Sequence, residues 1–343
     1  MDEEIKVLHF FAEYGLFLAK VATLVLALIV LISFIIAAAS KGKSAKEKLK
    51  IKKLNKRFED YKDTLNDQIL NKNELKQIAK TDKKKNKAAK KQPHTRKRVF
   101  VLDFNGDIKA SATTSLREEV TAILTVANPS DEVVVRLESP GGIVPCYGLA
   151  ASQLKRLRDR NIFLTIAVDK VAASGGYMMA CVANKILAAP YSIIGSIGVV
   201  AQLPNFHRLL KKNNIDFEQI TAGAYKRTLS MFGENTEKGR EKVQEDVNNV
   251  HEIFKEFIIE NRPNINIDEI ATGEHWHGVQ ALNLQLIDEL MTSDDYLLKS
   301  SFDKDIYEVH YEPKKSFADK FSLSLKKASD EFLGPTQKFE LFY

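Results

Sequence analysis

The stretch IFLTIAVDKVAASGG, Ile162–Gly176, passes from a continuous apolar run into a serine set among the smallest residues. Seven residues with no solvated face read as a strand buried on both sides, as in a parallel sheet covered by helices. After the strand, only alanines and glycines flank Ser174, so nothing bulky shields its hydroxyl.

The same pattern extends outward. Upstream, Val133–Leu137 (VVVRL) is a second buried strand, followed by Ser139-Pro140-Gly141-Gly142. Val99–Phe104 (VFVLDF) is a third, ending at Asn105-Gly106. Helical spacing is predicted over Thr113–Val126 and over Pro145–Arg158, where Leu149, Leu154 and Leu157 share a face. Downstream, Tyr177–Ala183 reads as a helix, and Lys185–Ala189 and Ile193–Val200 as extended chain. Lys185 and Pro190 break the apolar run Met178–Val200, so it reads as a core helix plus strand and not as a membrane span. Alternating strands and helices predict an α/β fold with a parallel sheet. In such sheets ligands bind beyond the carboxyl ends of the strands. Both glycine loops follow successive strands, so both open onto one cleft.

A serine at a strand-to-helix turn has two readings. It is an N-cap, or it is a nucleophile. The second needs donors for an oxyanion, which the amide of Gly175 and the Gly141-Gly142 loop can supply.

Charge divides the chain. Between Lys41 and Arg98 stand 22 Lys and Arg against 7 Asp and Glu, a charge of +15, while the rest of the 343 residues carries −9. Basicity thus belongs to one segment. Aromatic residues do not interleave with its charges, so a nucleic-acid partner is not expected. Just before it, Val21–Ala39 is a 19-residue run without charge between Lys20 and Lys41. As a helix it would cross the hydrocarbon of a bilayer. Its length and its acidic start (Asp2, Glu3, Glu4) favour an uncleaved anchor over a signal peptide. The expected division is an anchor over 1–40, a basic helical or disordered arm over 41–98, a catalytic domain over 99–311 and a tail over 312–343. Within the arm, Leu49–Leu75 has loosely helical spacing and Asp82–Pro93 reads as a disordered linker. Thr236–Asn261 reads as a long amphipathic helix that packs on the core or on a neighbour.

Cys146 and Cys181 lack the spacing of a metal site or redox pair and read as buried free thiols. His275 and His277 flank Trp276 with no third ligand in view, and His207 falls on the helical stretch Pro204–Lys212. No metal is expected, and no histidine is placed for a Ser-His-Asp triad.

SPGG after one strand and ASGGY after the next resemble the membrane-bound serine peptidases of the SppA and SohB type, within the ClpP/crotonase superfamily. Gly195-Ser196-Ile197-Gly198-Val199 resembles the family's GSIGV segment, and Gly223-Ala224-Tyr225-Lys226 its lysine-bearing segment. Gly273-Glu274, Gly278–Leu282 and Leu286-Ile287-Asp288 resemble its C-terminal signature. One departure is Gln285, where the family usually has glycine. The similarity spans about 99–311, and anchor plus basic arm resemble the SohB branch.

The resemblance implies a ClpP/crotonase-like sheet of repeated ββα units and a Ser–Lys dyad, which transfers to Ser174 as nucleophile and Lys226 as general base. Ser196 resembles a serine that orients the lysine. Gly175, Gly142 and Gly141 are the expected oxyanion donors. A lysine in water holds its proton at neutral pH, and catalytic lysines are brought to about 7–8 by burial. The implied partners are a peptide or protein substrate, membrane lipid and further copies in a ring, with no cofactor. The implied substrates are signal peptides or membrane-derived fragments, cleaved at the inner membrane by a single-pass protein. Family precedent puts the catalytic domain in the periplasm, whereas the lysines beside the anchor put it in the cytoplasm. Two other readings are a non-catalytic membrane scaffold and a crotonase-like acyl-CoA enzyme.

Overall fold

The computed structural model describes residues 2–40, 48–78, 80 and 96–313. The linker expected over Asp82–Pro93 and the tail beyond Pro313 lie outside the described residues.

The chain divides into two compact units, and residues 49–311 form the one that carries the sheet. In the other, α1 (Asp2–Ser40) is one helix of 39 residues. Its described side chains over 12–29 are exposed, and Ala12–Ile29, with mean hydropathy 1.8, is long and apolar enough to cross a membrane. The apolar run expected over Val21–Ala39 lies within the same helix.

The sheet unit contains β1 (Lys48–Lys53, all but its first residue), α2 (Leu54–Ile69), β2 (Arg98–Asn105), α3 (Thr113–Leu124), β3 (Glu132–Glu138), α4 (Val144–Arg158), β4 (Phe163–Val168), β5 (Val171–Ala173) and α5 (Gly175–Ala180). There follow β6 (Lys185–Ala188), β7 (Ile193–Gly195), α6 (His207–Lys212), α7 (Glu237–Asn261), α8 (Ile267–Ile270), β8 (His275–His277), α9 (Gly278–Asn283), β9 (Glu289–Leu290), α10 (Ser293–Ser300) and β10 (Asp305–Glu312). Seven strands form one sheet in the order β1-β10-β2-β3-β4-β6-β9, parallel at each ladder from β10 to β9. A second sheet, β5-β7-β8, stands at its carboxyl ends, with β5 and β7 parallel and β8 antiparallel to β7.

The strands are apolar on both faces, as their unbroken hydrophobicity requires. Phe100, Leu102 and Phe104 of β2, Val133, Val135 and Leu137 of β3, and Leu164, Ile166 and Val168 of β4 point into the larger core under α3, α4 and α5. Val99, Val101, Val134 and Ile306 face the opposite way and are covered by Leu54 and Phe58 of α2 and Leu297 and Tyr296 of α10.

That second layer moves a boundary. A domain beginning at residue 99 would lose the cover that Leu54 and Phe58 of α2 give to this valine face. The compact unit instead begins at Leu49, and the segment 48–69 is a strand and helix packed on the body. The loosely helical spacing from Leu49 breaks because Lys48–Lys53 (KLKIKK) alternates with period two and takes up the sheet edge. Asn55 fixes this layer. Its Oδ1 accepts from Ile306 N at 2.7 Å, and its Nδ2 donates to Lys304 O at 2.9 Å and Ser301 O at 3.2 Å. Lys53 pairs with the buried Asp305 at 2.9 Å.

The extended run expected over Ile193–Val200 ends early. Ser196 has φ +50°, so β7 stops at Gly195. Gln285 also sits in left-handed backbone, φ +59°. Arg262 Nη2 donates to its carbonyl at 2.9 Å while gripping Asp288, which holds this turn without a glycine.

Two outcomes follow from these contacts. Asn55→Ala should lower unfolding free energy by roughly 1–3 kcal/mol in urea titration, because it strands a buried amide. Gln285→Gly should raise it by roughly 0.5–1 kcal/mol, since relief of left-handed strain outweighs the greater chain entropy of glycine.

Candidate active site

The parallel pairing of β5 with β7 sets Ala173 opposite Gly195, so Ser174 and Ser196 are the next residues beyond two neighbouring strands. Ser174 N donates to Gly195 O at 2.7 Å. Ser174 itself has φ +51° and ψ −117°, a conformation that costs a residue with a Cβ on the order of 1–3 kcal/mol. The turn lifts the side chain off the sheet ahead of α5. Ser174 makes no side-chain cap to α5, unlike Thr236, whose oxygen accepts from Gly239 N. The N-cap reading of Ser174 therefore does not describe its geometry.

The Ser139–Gly142 loop closes over this turn. Ser139 N donates to Val171 O at 2.8 Å and Ala173 N to Ser139 O at 3.0 Å. Gly141 has φ +92°, and a Cβ on it would stand 2.8 Å from Ser174 Cβ and 2.8 Å from Gly175 N. A Cβ on Gly142 would strike the Ile108 carbonyl. Both positions thus require glycine. Gly175 opens α5 with an amide that faces no helical acceptor.

A pocket gathers Gly142, Val144, Ser174, Gly175, Met178, Gly198, Val199, Val250 and Phe254. Its walls are apolar, and α7 supplies two of them. The expected amphipathic helix over Thr236–Asn261 is α7, with Thr236 as its N-cap, and it packs on the core through Phe254 and Ile258.

Of the residues singled out in the sequence, Ser174, Gly141, Gly142 and Gly175 come together, with Ser196 in the adjoining turn. Ser196 N donates to Glu274 O at 2.7 Å. Lys226 stands elsewhere. It is exposed, at the end of a turn in which its amide donates to Gly223 O at 3.2 Å, and it does not line the serine pocket. Cys181 is fully buried, and burial pushes its thiol up to about 12. Cys146 is half-buried. His277 Nδ1 lies 3.3 Å from Tyr191 O, and among the described residues no cluster of metal-ligating side chains occurs with either His275 or His277. His207, at the start of α6, is half-buried.

Two supports have no local sequence signal. Tyr147, buried in α4, shares a 2.6 Å hydrogen bond with Ser139 Oγ and donates to Asp107 O at 2.8 Å. Ser139 Oγ in turn accepts from Gly141 N at 3.1 Å, so Tyr147 fixes the glycine loop from beneath. Burial pushes the Tyr147 phenol up, which keeps it a neutral donor. On α7, His251 Nε2 lies 3.3 Å from Ile197 O and ties the helix to the loop after Ser196.

Comparison with known proteins identifies the family. Residues 9–154 match the model of the peptidase family S49 N-terminal region and residues 156–306 that of peptidase family S49. The chain is 50% identical over 328 residues to the probable protease SohB of Haemophilus influenzae, covering 92% of this chain and 93% of that one. It is 52% identical over 306 residues to the probable protease SohB of Buchnera aphidicola subsp. Schlechtendalia chinensis, covering 85% and 99%. Among solved structures, a mutant membrane-bound stomatin-specific protease in complex with a substrate peptide aligns with TM-score 0.42 and 14% identity, over 68% of this chain and 99% of that one. The chain belongs to peptidase family S49 and is a protease.

Proposed function

We propose that the protein is a membrane-anchored serine endopeptidase that works through a Ser174–Lys226 dyad and an acyl-enzyme. The observation that carries this reading is the strained turn at Ser174, which presents an uncapped hydroxyl to a pocket roofed by two glycines. Strain of this kind persists only where surrounding structure holds it, and it clusters at reactive centres.

In the proposed cycle a neutral Lys226 amine takes the proton of Ser174 as its Oγ attacks the scissile carbonyl. The Gly175 and Gly142 amides, with Gly141 shaping the loop, receive the developing oxyanion. The lysine returns the proton to the leaving amine, then activates the water that hydrolyses the ester. Ser196 orients the amine. Because Lys226 is exposed and off the pocket within one chain, its partner serine is supplied by a neighbouring copy in a homo-oligomeric ring. Burial at the completed site favours the uncharged amine.

Val144, Met178, Val199, Val250 and Phe254 suit an apolar side chain at the cleavage point. Together with the apolar helix α1, this favours peptides from signal sequences or other membrane segments, met at the inner membrane by a single-pass protein in contact with lipid. The side of the membrane on which the catalytic unit lies follows from protease accessibility in spheroplasts.

The deciding assay is casein and signal-peptide hydrolysis. Ser174→Ala and Lys226→Ala should each lower kcat by roughly 10³-fold or more. Mixed and reassembled, the two variants should regain activity, because some sites then pair an intact serine with an intact lysine. Full activity in either single variant would sink the dyad, and activity of a strict monomer would sink its division between copies. Tyr147→Phe should reduce kcat about 10-fold with KM little changed, since it frees the Ser139 support under the oxyanion loop.

A further inference from the structure

The pocket beside Ser174 is small as well as apolar. Val144, Met178, Val199, Val250 and Phe254 close round a space of about 10 Å³. That is room for one group the size of a water molecule, or a methyl. Of these five side chains Val144 alone is exposed, and the other four are buried or half-buried.

The walls are held in place. Phe254 is 4% exposed and shares the main core with Ile258, one turn further along α7. His251 Nε2, on the same helix, lies 3.3 Å from Ile197 O, just before Gly198 and Val199 of the lining. Met178 is 8% exposed, and its amide donates to Ser174 O at 3.0 Å, so its backbone is tied to that of the serine. Side chains packed this closely do not make way cheaply for a larger group. Among the described residues no ionisable side chain lines the space. A charged group placed there would lose its water and gain no partner.

The chemistry at Ser174 says which part of a substrate arrives here. The attacked carbonyl belongs to the residue on the amino side of the cut bond, and that residue's Cα is bonded to the reacting carbon. With the oxyanion toward Gly175 and Gly142, its side chain enters the space bounded by α7. We propose that the protease selects alanine on the amino side of the bond it cuts, and that Phe254 and Val250 set this limit. The proposal rests on the reading of Ser174 as nucleophile and adds to it the size of the side chain accepted. The alanine methyl fills the space. Glycine leaves it empty, leucine and phenylalanine need α7 to move, and lysine or aspartate would be buried unpaired.

Covalent labelling tests this apart from turnover. The full-length protein is treated with two peptidyl diphenyl phosphonates that differ only at this position, one carrying the alanine side chain and one the leucine side chain. Intact mass spectrometry follows the displacement of phenol by the serine oxygen. The alanine probe should react about 10-fold faster or more. Phe254→Ala should reverse the order. Phe254 is a core residue, so Val250→Ala, at a half-buried position, carries the test where that variant fails to fold. It should lower the ratio of alanine to leucine rates several-fold. Equal rates in the wild type, or a faster leucine probe, would overturn the proposal and leave the nucleophile standing. An unchanged ratio in Val250→Ala would overturn it too. A wild type that takes no label, or a Ser174→Ala variant that takes it as fast, would sink the nucleophile and this proposal with it.

Discussion

The hydrogen bond from Ser174 N to Gly195 O, 2.7 Å long, is the constraint on which the Ser174 turn depends. It extends the β5–β7 pairing one residue past the strand ends and forces the turn that carries the hydroxyl. Left-handed backbone at a serine is unfavourable by itself. It survives because Ser139 stitches the neighbouring strand end to the same turn and Gly141 leaves no room for the side chain to fall back. Packing energy spread through the sheet thus supports strain at one residue. The same parallel register that fills the core with valine, leucine and isoleucine sets two serines and a glycine roof at one edge.

The sheet has a second demand. A strand apolar on both faces needs cover on both, and the helices between β2 and β6 serve only one. α2 and α10 serve the other: Asn55 ties α2 to β10, and the buried Glu132 of β3 accepts from Tyr296 Oη of α10, from Thr165 Oγ1 and from Lys304 Nζ. The segment 49–69 is therefore part of the folded body.

Much of this was legible in the sequence, for physical reasons that particular residues show. The strands at Val133–Leu137 and Ile162–Val168 declared themselves because an unbroken apolar run has few other stable environments. Ser174, Gly141 and Gly142 stood out because small residues beside strand ends mark close approach. What stayed hidden depended on distant partners. KLKIKK reads as the start of a loosely helical charged stretch until β10, far along the chain, accepts it as a strand. Tyr147 is one tyrosine in an apolar helix until Ser139 is seen beneath it. The break at Ser196 is invisible locally, because only the bond to Glu274 O turns an apolar strand into a loop.

Ser174 and Lys226, the proposed nucleophile and base, stand on different kinds of structure, and that difference has a consequence for the proposed enzyme. Ser174 is held by two strands, a glycine loop and α5. Lys226 belongs to the stretch 204–233, which holds little regular structure beyond α6 and also carries the half-exposed Phe206, Phe217 and Phe232 rings and a nearly bare Ile220. That much apolar surface is unusual on a chain that stays alone in water, and an interface would bury it. Joining copies would therefore do two things in one step. It would cover the aromatic segment, and it would carry an amine out of solvent to a serine already set for attack. A protease arranged this way is inert as a free chain, since a serine without a base attacks slowly. Its activity would follow the concentration of the assembled form, and the proposed anchor would raise that concentration by confining the chains to a surface.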